Sequence, residues 1–251
     1  MLERLLAVSV NRSEDIAVVP ITLRFALRRP FLAILTCTKG MDSKGMNKPC
    51  ESPSLPSWVR WASLVWLAVW IPSYAMYWGW VNFLHLCDVA VFLTCAGLAY
   101  NNVLLLSSQA VTSLAGGFLW CLDASWRSVV GRHLIGGTQY MWDTRFPLWV
   151  RLLSMFHVVL PLVLVAALRR TGYDHRALRL QCWVAGTLLA ASRLLGPSRN
   201  LNYAFADPVF HRAFGPAPIH LALIFAVLAG MIYWPTHRFL IWILPTNRRA
   251  S

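Results

Sequence analysis

Residues 81–122 read VNFLHLCDVAVFLTCAGLAY, then the pair Asn101-Asn102, then VLLLSSQAVTSLAGGFLWCL. Each flanking stretch is about 20 residues long and almost wholly apolar, enough at 1.5 Å per residue to cross a hydrocarbon layer of about 30 Å. A link of two residues obliges the second stretch to turn straight back along the first, so the segment predicts an antiparallel pair of membrane-spanning helices.

The same pattern extends outward. Upstream, 58–78 is a third apolar stretch, joined to 81–100 by Gly79-Trp80 alone. Downstream, 146–168, 178–195 and 217–235 complete a set of six. Trp58, Trp61, Trp78, Trp80, Tyr100, Trp149, Tyr233 and Trp234 fall at the ends of these stretches, as an interfacial aromatic belt requires. Pro72 and Pro161 lie inside spans and are expected to kink them; neighbouring helices can satisfy the freed carbonyls. The predicted fold is all-α: a polytopic membrane protein with a six-transmembrane-helix bundle over 56–245 and a short tail at 246–251. Composition agrees. Hydrophobic residues are 57% of the chain and charged residues 13%, half of the roughly 25% a soluble domain carries on its surface.

Residues 1–55 differ from the rest. All three lysines (Lys39, Lys44, Lys48) are here, and the modest apolar runs are broken by Arg24, Arg28, Arg29 and Pro30. No compact apolar core precedes a small-residue cleavage site, so a signal peptide is not indicated. The segment reads as an extension, either a disordered or membrane-surface arm or the product of a start placed upstream of Met41 or Met46.

The net charge of +13 does not point to nucleic acid, because the basic residues sit in short links between apolar stretches rather than along a polar helix face. Lys48, Arg60, Arg169, Arg170, Arg176, Arg179, Arg238, Arg248 and Arg249 fall on the side of both termini; Arg127, Arg132, Arg145, Arg193, Arg199 and Arg212 fall on the other. That asymmetry predicts cytoplasmic termini. Of the six cysteines, Cys87, Cys95, Cys121 and Cys182 lie in apolar stretches and no CxxC pair occurs, so neither a zinc cage nor a disulfide framework is expected. No phosphate loop is present: Gly116-Gly117 and Gly136-Gly137 lack the strand–helix context, and Gly116-Gly117 instead suits close helix packing. No cofactor is expected.

Ionisable side chains inside spans are costly and mark functional sites by default. Alternate threading brings His85, Asp88, Asp123, Arg193 and His220 toward one face, with His157 near mid-depth and Asn202 and Tyr203 in a long link on the same side. They predict a polar pocket opening toward that face within an apolar bundle. His85 and Asp88, three apart, would share a helix face, and a carboxylate beside an imidazole suits a general base. Cys87 would then lie about 200° from His85 around the helix. His157 has no charged neighbour on its own helix, so its partners are expected from another. Plainer roles stand beside these: Asp88 with Arg193 as a register-setting ion pair, His157 as a packing histidine bonded to a backbone carbonyl, Cys87 as a small hydrophobe, and His85, Asp88 and His157 as ligands of a metal, for which no tight spacing signature exists. His133, His175, His211 and His237 read as interfacial.

Two segments carry a family resemblance. Asn82-Phe83-Leu84-His85-Leu86-Cys87-Asp88 resembles the His-Leu-Cys segment of the bacterial YwaF-like multi-pass membrane proteins. Asn202-Tyr203, Pro208 and Phe214-Gly215-Pro216-Ala217-Pro218 resemble that family's ending. His157 followed by Pro161 is similar, more distantly, to the histidine segment of the androgen-induced-protein-like hydrolases of fatty-acid esters and a related cysteine acyltransferase. The resemblance covers roughly 75–235. It departs where no threonine occurs in the second span before Thr94, and where Ala204 and Ala217 stand in place of Met and Trp. It implies a bacterial inner-membrane protein acting on membrane lipids, with His157 as the catalytic histidine and Cys87 as the nucleophile.

Read together, the catalytic candidates are His157, Cys87, His85 and Asp88, and the substrate-binding candidates Arg193, Asn202, Tyr203, Asp123 and His220. The expected activity is lipid acyl hydrolysis or acyl transfer; the alternative is a non-enzymatic membrane protein, a small carrier or an accessory subunit with a membrane-protein partner or a second copy of itself.

Overall fold

The structure is a computed structural model and describes residues 55–246; the extension at 1–55, apart from Leu55, and most of the tail lie outside them. Six helices follow one another: α1 (Ser57–Trp78), α2 (Leu86–Ala99), α3 (Val103–Val130), α4 (Leu148–Thr171), α5 (Ala177–Leu194) and α6 (Ala217–Ile243). The only extended pairing among the described residues is a bridge between Tyr173 and Thr246.

Three of the six are long and apolar enough to cross a membrane: α3, α4 and α6. The other three stretches form helices at the expected places but fall short of that standard. α1 has the length, 22 residues, but Arg60 and its tryptophans and tyrosines dilute it. α2 has 14 residues, because 80–84 is a tight 3₁₀ turn instead of the first turns of a span. α5 carries Arg179, Gln181 and Arg193 in 18 residues.

Local chemistry explains the boundaries. Asn102 caps α3, its side chain accepting from Leu105 N at 3.1 Å, and Gly131 ends it in the left-handed region. α1 runs through Pro72 and α4 through Pro161; the break in α4 falls at Ser154-Met155, between its pieces Leu148–Leu153 and Phe156–Thr171. Pro161 has no N–H, so the carbonyl of His157 loses its helical donor. Gly117 packs there: a Cβ on it would stand within van der Waals overlap of the His157 carbonyl oxygen and of Pro161. The glycine lets α3 and α4 touch backbone to backbone, the close approach that small residues permit in membranes.

The interior of the bundle mixes polar and apolar side chains, and its exterior carries many large apolar ones. Asp88, Thr94, Ser107, Ser108, Gln109, Asp123, Gln181, Ser192 and His220 are buried, while Val65, Val69, Phe118, Leu162, Trp183, Met231 and Trp242 are exposed. One apolar cluster joins Leu106, Ala110, Leu164, Leu168, Tyr233 and Leu240; a second gathers Trp70, Tyr74, Val91, Cys95 and Phe156, with Trp70 edge-on to Phe92 and Phe156. Trp58, Trp61, Trp80, Tyr100, Trp149 and Trp234 are exposed, as a belt demands, but Tyr233 is buried and Trp78 turns inward to stack on Phe146 at 5.0 Å. At the far end of the bundle Tyr173 OH meets His237 Nδ1 at 2.7 Å, so His237 is packed inside rather than at an interface.

Candidate functional site

A cavity of about 690 Å³ lies among α2, α3, α4 and α6 and under the links 131–147 and 195–216. Its volume falls in the ordinary range for ligand sites, about 300–1,000 Å³. Along α3 it is lined by Thr112, Ser113, Gly116, Gly117, Trp120 and Asp123, one helix face about 15 Å long. His85, Cys87, Asp88, His157, Asp123, Asn202 and Tyr203 all line it. Arg193 and His220 do not.

The shared wall conceals several roles. His157 stacks between Trp120 (5.2 Å, 6°) and Phe156 (4.1 Å, 25°), and its Nδ1 lies 2.9 Å from the carbonyl of Ser154. A carbonyl only accepts, so Nδ1 carries the proton and Nε2 keeps a free lone pair. The anchoring partner therefore comes from the helix's own preceding turn, at the break, and not from another helix. Ser154 Oγ in turn bonds Tyr74 OH at 2.7 Å, and Trp120 Nε1 donates to Tyr140 OH at 2.9 Å. These four residues fix the imidazole plane.

His85 precedes α2, with extended backbone (φ −63°, ψ 140°), so the helical spacing expected for His85 and Asp88 does not apply. Asp88 takes Asn82 Nδ2 at 2.8 Å on one oxygen and Cys87 Sγ at 3.8 Å on the other. It is 2% exposed and makes no ion pair among the described residues. Arg193, its expected counter-ion, instead lies over the Phe205 ring at 4.0 Å and donates to Ala204 O at 3.2 Å, because the link after α5 folds back over it. Among the described residues no hydrogen bond joins Cys87 to His157 or to His85, and no three His, Cys, Asp or Glu side chains gather closely enough to hold a metal ion.

Asp123, Asn200, Asn202 and His220 are occupied in building the loops. Asp123 accepts from the backbone of Leu134, Ile135, Gly136 and Thr138 and from Thr138 Oγ1 (2.5–3.2 Å), winding 134–138 around one carboxylate. His133, expected at an interface, sits 3.5 Å from the same carboxylate. Asn200 Oδ1 accepts from Phe205 and Ala206 N. Asn202 reaches across the cavity rim to α2: its Oδ1 accepts from Leu86 N, and its Nδ2 donates to Leu84 O and Ser192 Oγ, all at 2.8–2.9 Å. His220 Nδ1 accepts from Phe214 N and its Nε2 donates to Tyr203 O. In the link 131–147, hydrogen bonds from Arg145 hold the Asp143 carboxyl below the usual range, and burial raises the Tyr140 hydroxyl.

Sequence reasoning passed over Tyr74, Ser154, Trp120, Tyr140 and Arg199. Arg199 lines the cavity with one nitrogen on Trp78 O at 2.6 Å. Only the π-helical stretch Val227–Tyr233, which brings Leu228, Ile232 and Tyr233 to the wall, left no signal at all, since its composition is that of any apolar span. Compared with protein-family models, curated proteins and solved structures, the chain matches none.

Proposed function

We propose that the protein is a six-span membrane enzyme that draws an acyl-ester lipid into this cavity and cleaves or transfers its acyl group. The observation that carries the reading is a single chamber, apolar along Leu160, Pro161, Ile224 and Leu228, that also holds the thiol of Cys87 and the free Nε2 lone pair of His157. The six-span reading rests on the exposed apolar side chains of α1, α3, α4, α5 and α6 and on the apolar composition of the shorter α2. α1 is about 33 Å long, and the basic excess on the side of both termini supports a cytoplasmic placement for them. The resemblance to bacterial multi-pass proteins favours an inner membrane.

In the proposed reaction the Cys87 thiol gives its proton to His157 Nε2 and the sulfur attacks the ester carbonyl. Collapse expels the alcohol, which takes the proton back from His157, and leaves a thioester on Cys87. Water, deprotonated by the same nitrogen, releases the acid and restores the thiol; a second alcohol in place of water gives transfer. Nδ1–H donated to Ser154 O keeps the imidazolium oriented throughout.

One observation favours a second reading, ligand carriage without chemistry: Cys87 Sγ is directed at Asp88 and not at His157. A thiol-reactive probe with a long acyl chain separates the two in membranes. The enzyme reading expects fast labelling of wild type, none of Cys87→Ala, and at least tenfold slower labelling of His157→Ala. Equal labelling of all three overturns it.

A further inference from the structure

The end of the cavity farthest from the loops is polar where an acyl chain alone would need it to be apolar. Ser113 Oγ and Tyr233 OH line this end and, like Gln181 Nε2 beside them, are buried without a hydrogen-bond partner among the described residues. Gln181 is 0% exposed, Tyr233 1% and Ser113 8%. Helical hydroxyls elsewhere in this chain solve the same problem locally: Ser63, Ser73, Thr187, Ser192 and Thr236 each donate to a carbonyl three or four residues upstream. Ser113 does not. Gln181 has its carbonyl oxygen satisfied by Gln109 (3.4 Å), which leaves its amide N–H groups seeking an acceptor. The side chains of Gln181 and Thr112 come within loose hydrogen-bonding reach of Tyr233 OH, but neither meets the distance and angle of a formed bond. The π-helical stretch turns Tyr233 inward while Met231 and Trp234 face out.

Buried polar groups left unpaired are unfavourable, and more so away from water. Two of them stand on the wall of a ligand-sized chamber, with Gln181 close to Tyr233 but off the wall. We propose that the inner end of the cavity binds a neutral hydrogen-bonding group, a hydroxyl or carbonyl, at the far end of the ligand's chain. This rests on the lipid-cavity reading above and narrows it: the ligand is polar at both ends, with the ester at the His157 end and a neutral oxygen function held by Ser113 and Tyr233. A hydroxyl fits the donor–acceptor set best, because it can accept from Tyr233 and donate to Ser113. Among the described residues, the charged side chains that line the cavity, Asp88, Asp123 and Arg199, are at its other end, so nothing there favours a carboxylate. A site built to bond a hydroxyl rejects the analogue that lacks it far more strongly than an apolar pocket rejects an extra group.

The test uses the full-length protein in detergent and displacement of an environment-sensitive fluorescent fatty acid. Competitors are hexanoate, octanoate, decanoate and dodecanoate, each with and without an ω-hydroxyl; these acids are products of the proposed hydrolysis. At the one length that reaches from the ester position to Ser113, the ω-hydroxy acid is expected to bind at least tenfold more tightly than its plain partner. Tyr233→Phe and Ser113→Ala are each expected to bring that ratio below threefold. Chains that bind with no hydroxyl preference at any length, or a preference untouched by both variants, overturn this inference and leave the lipid-cavity reading standing. Failure of every chain to displace the probe overturns both.

Discussion

Asn202→Ala is the perturbation whose outcome the structure defines most sharply. Its side chain makes three hydrogen bonds, two of them to backbone groups at the start of α2 that lie 116 and 118 positions away. The Leu86 N–H is one of the donors every helix leaves unpaired at its first turn, and Asn202 Oδ1 caps it from across the molecule. A hydrogen bond between helices inside a membrane contributes on average about 0.6 kcal/mol, since the alternative arrangement finds other partners. Asn202 differs because alanine leaves an N–H and a C=O with no side chain to replace it, and a stranded buried group costs about 1–3 kcal/mol. Loss of a cap alone typically costs about 1 kcal/mol. Asn202 also sits at φ 52°, where asparagine is tolerated and alanine is less so. Together these amount to roughly 3 kcal/mol, which for a domain of this size lowers the thermal midpoint by about 6–12 °C. Ser192→Ala removes the third bond together with the serine's own bond to Leu188 O, leaves both contacts to α2 in place, and is expected to shift it by about 2–4 °C. Thermal unfolding in detergent, followed by intrinsic tryptophan fluorescence, measures both. Because Cys87 and Asp88 stand in the first turn of α2, Asn202→Ala should also speed alkylation of Cys87. A midpoint within about 2 °C of wild type, with unchanged thiol reactivity, would refute the claim that Asn202 holds α2 in place.

Gly117→Ala should destabilise strongly, because its Cβ would overlap the His157 carbonyl, whereas Gly116→Ala meets nothing within 4 Å and should leave thermal stability unchanged; parallel melting curves check the contrast. Asp123→Asn replaces one acceptor oxygen with an NH₂ aimed at N–H donors, so hydrogen exchange at Leu134, Ile135, Gly136 and Thr138 should rise at least tenfold while α3 upstream of it stays protected. Hydrogen bonds from Arg176 hold the Asp174 carboxyl below its ordinary value. A depressed folded value means stability that is full above the unfolded pKa of about 3.9 and lost as pH falls through the lower folded value. Stability should therefore drop as pH falls through and below that unfolded value in wild type, and less steeply in Arg176→Gln; since Arg176 is largely exposed, the difference should be small and should shrink further in high salt.

The six helix positions were legible because hydrophobic length is a local property of the chain. So was the convergence of His85, Asp88, Asp123, His157, Asn202 and Tyr203, since alternate threading fixes the end of the bundle to which each residue goes. Rotation about a helix axis and the course of long links are not local. Arg193 and His220 reach the expected end but face the links 195–216, whose turns depend on Asn200 and Asp207 bonding backbone groups several residues on. The pairing expected of His85 and Asp88 assumed helical geometry one turn too early, because the 3₁₀ turn at Trp80–Leu84 ends at His85. The three helices that fall short do so for different reasons: α2 is apolar but only 14 residues long, while α1 and α5 have the length but carry polar residues the sequence displayed openly, Arg60 in one and Arg179, Gln181 and Arg193 in the other.

Hydrogen-bond bookkeeping separates scaffold from site among these polar residues. Asp123, Asn200, Asn202 and His220 have their side-chain acceptors and donors committed to backbone partners, so they build rigid walls and have nothing left to offer a ligand. His157 commits one nitrogen and keeps the other; Ser113 and Tyr233 commit nothing. Groups of the first kind fail by unfolding, and those of the second kind should fail by losing binding or turnover at unchanged stability. The same division predicts that His157→Gln, which retains a side-chain donor for Ser154 O but supplies no basic nitrogen, should melt within a few degrees of wild type and still be inactive on any acyl ester the wild type cleaves. A His157→Gln protein that unfolds as readily as Asn202→Ala would place His157 with the scaffold, and the cavity would then lack its base.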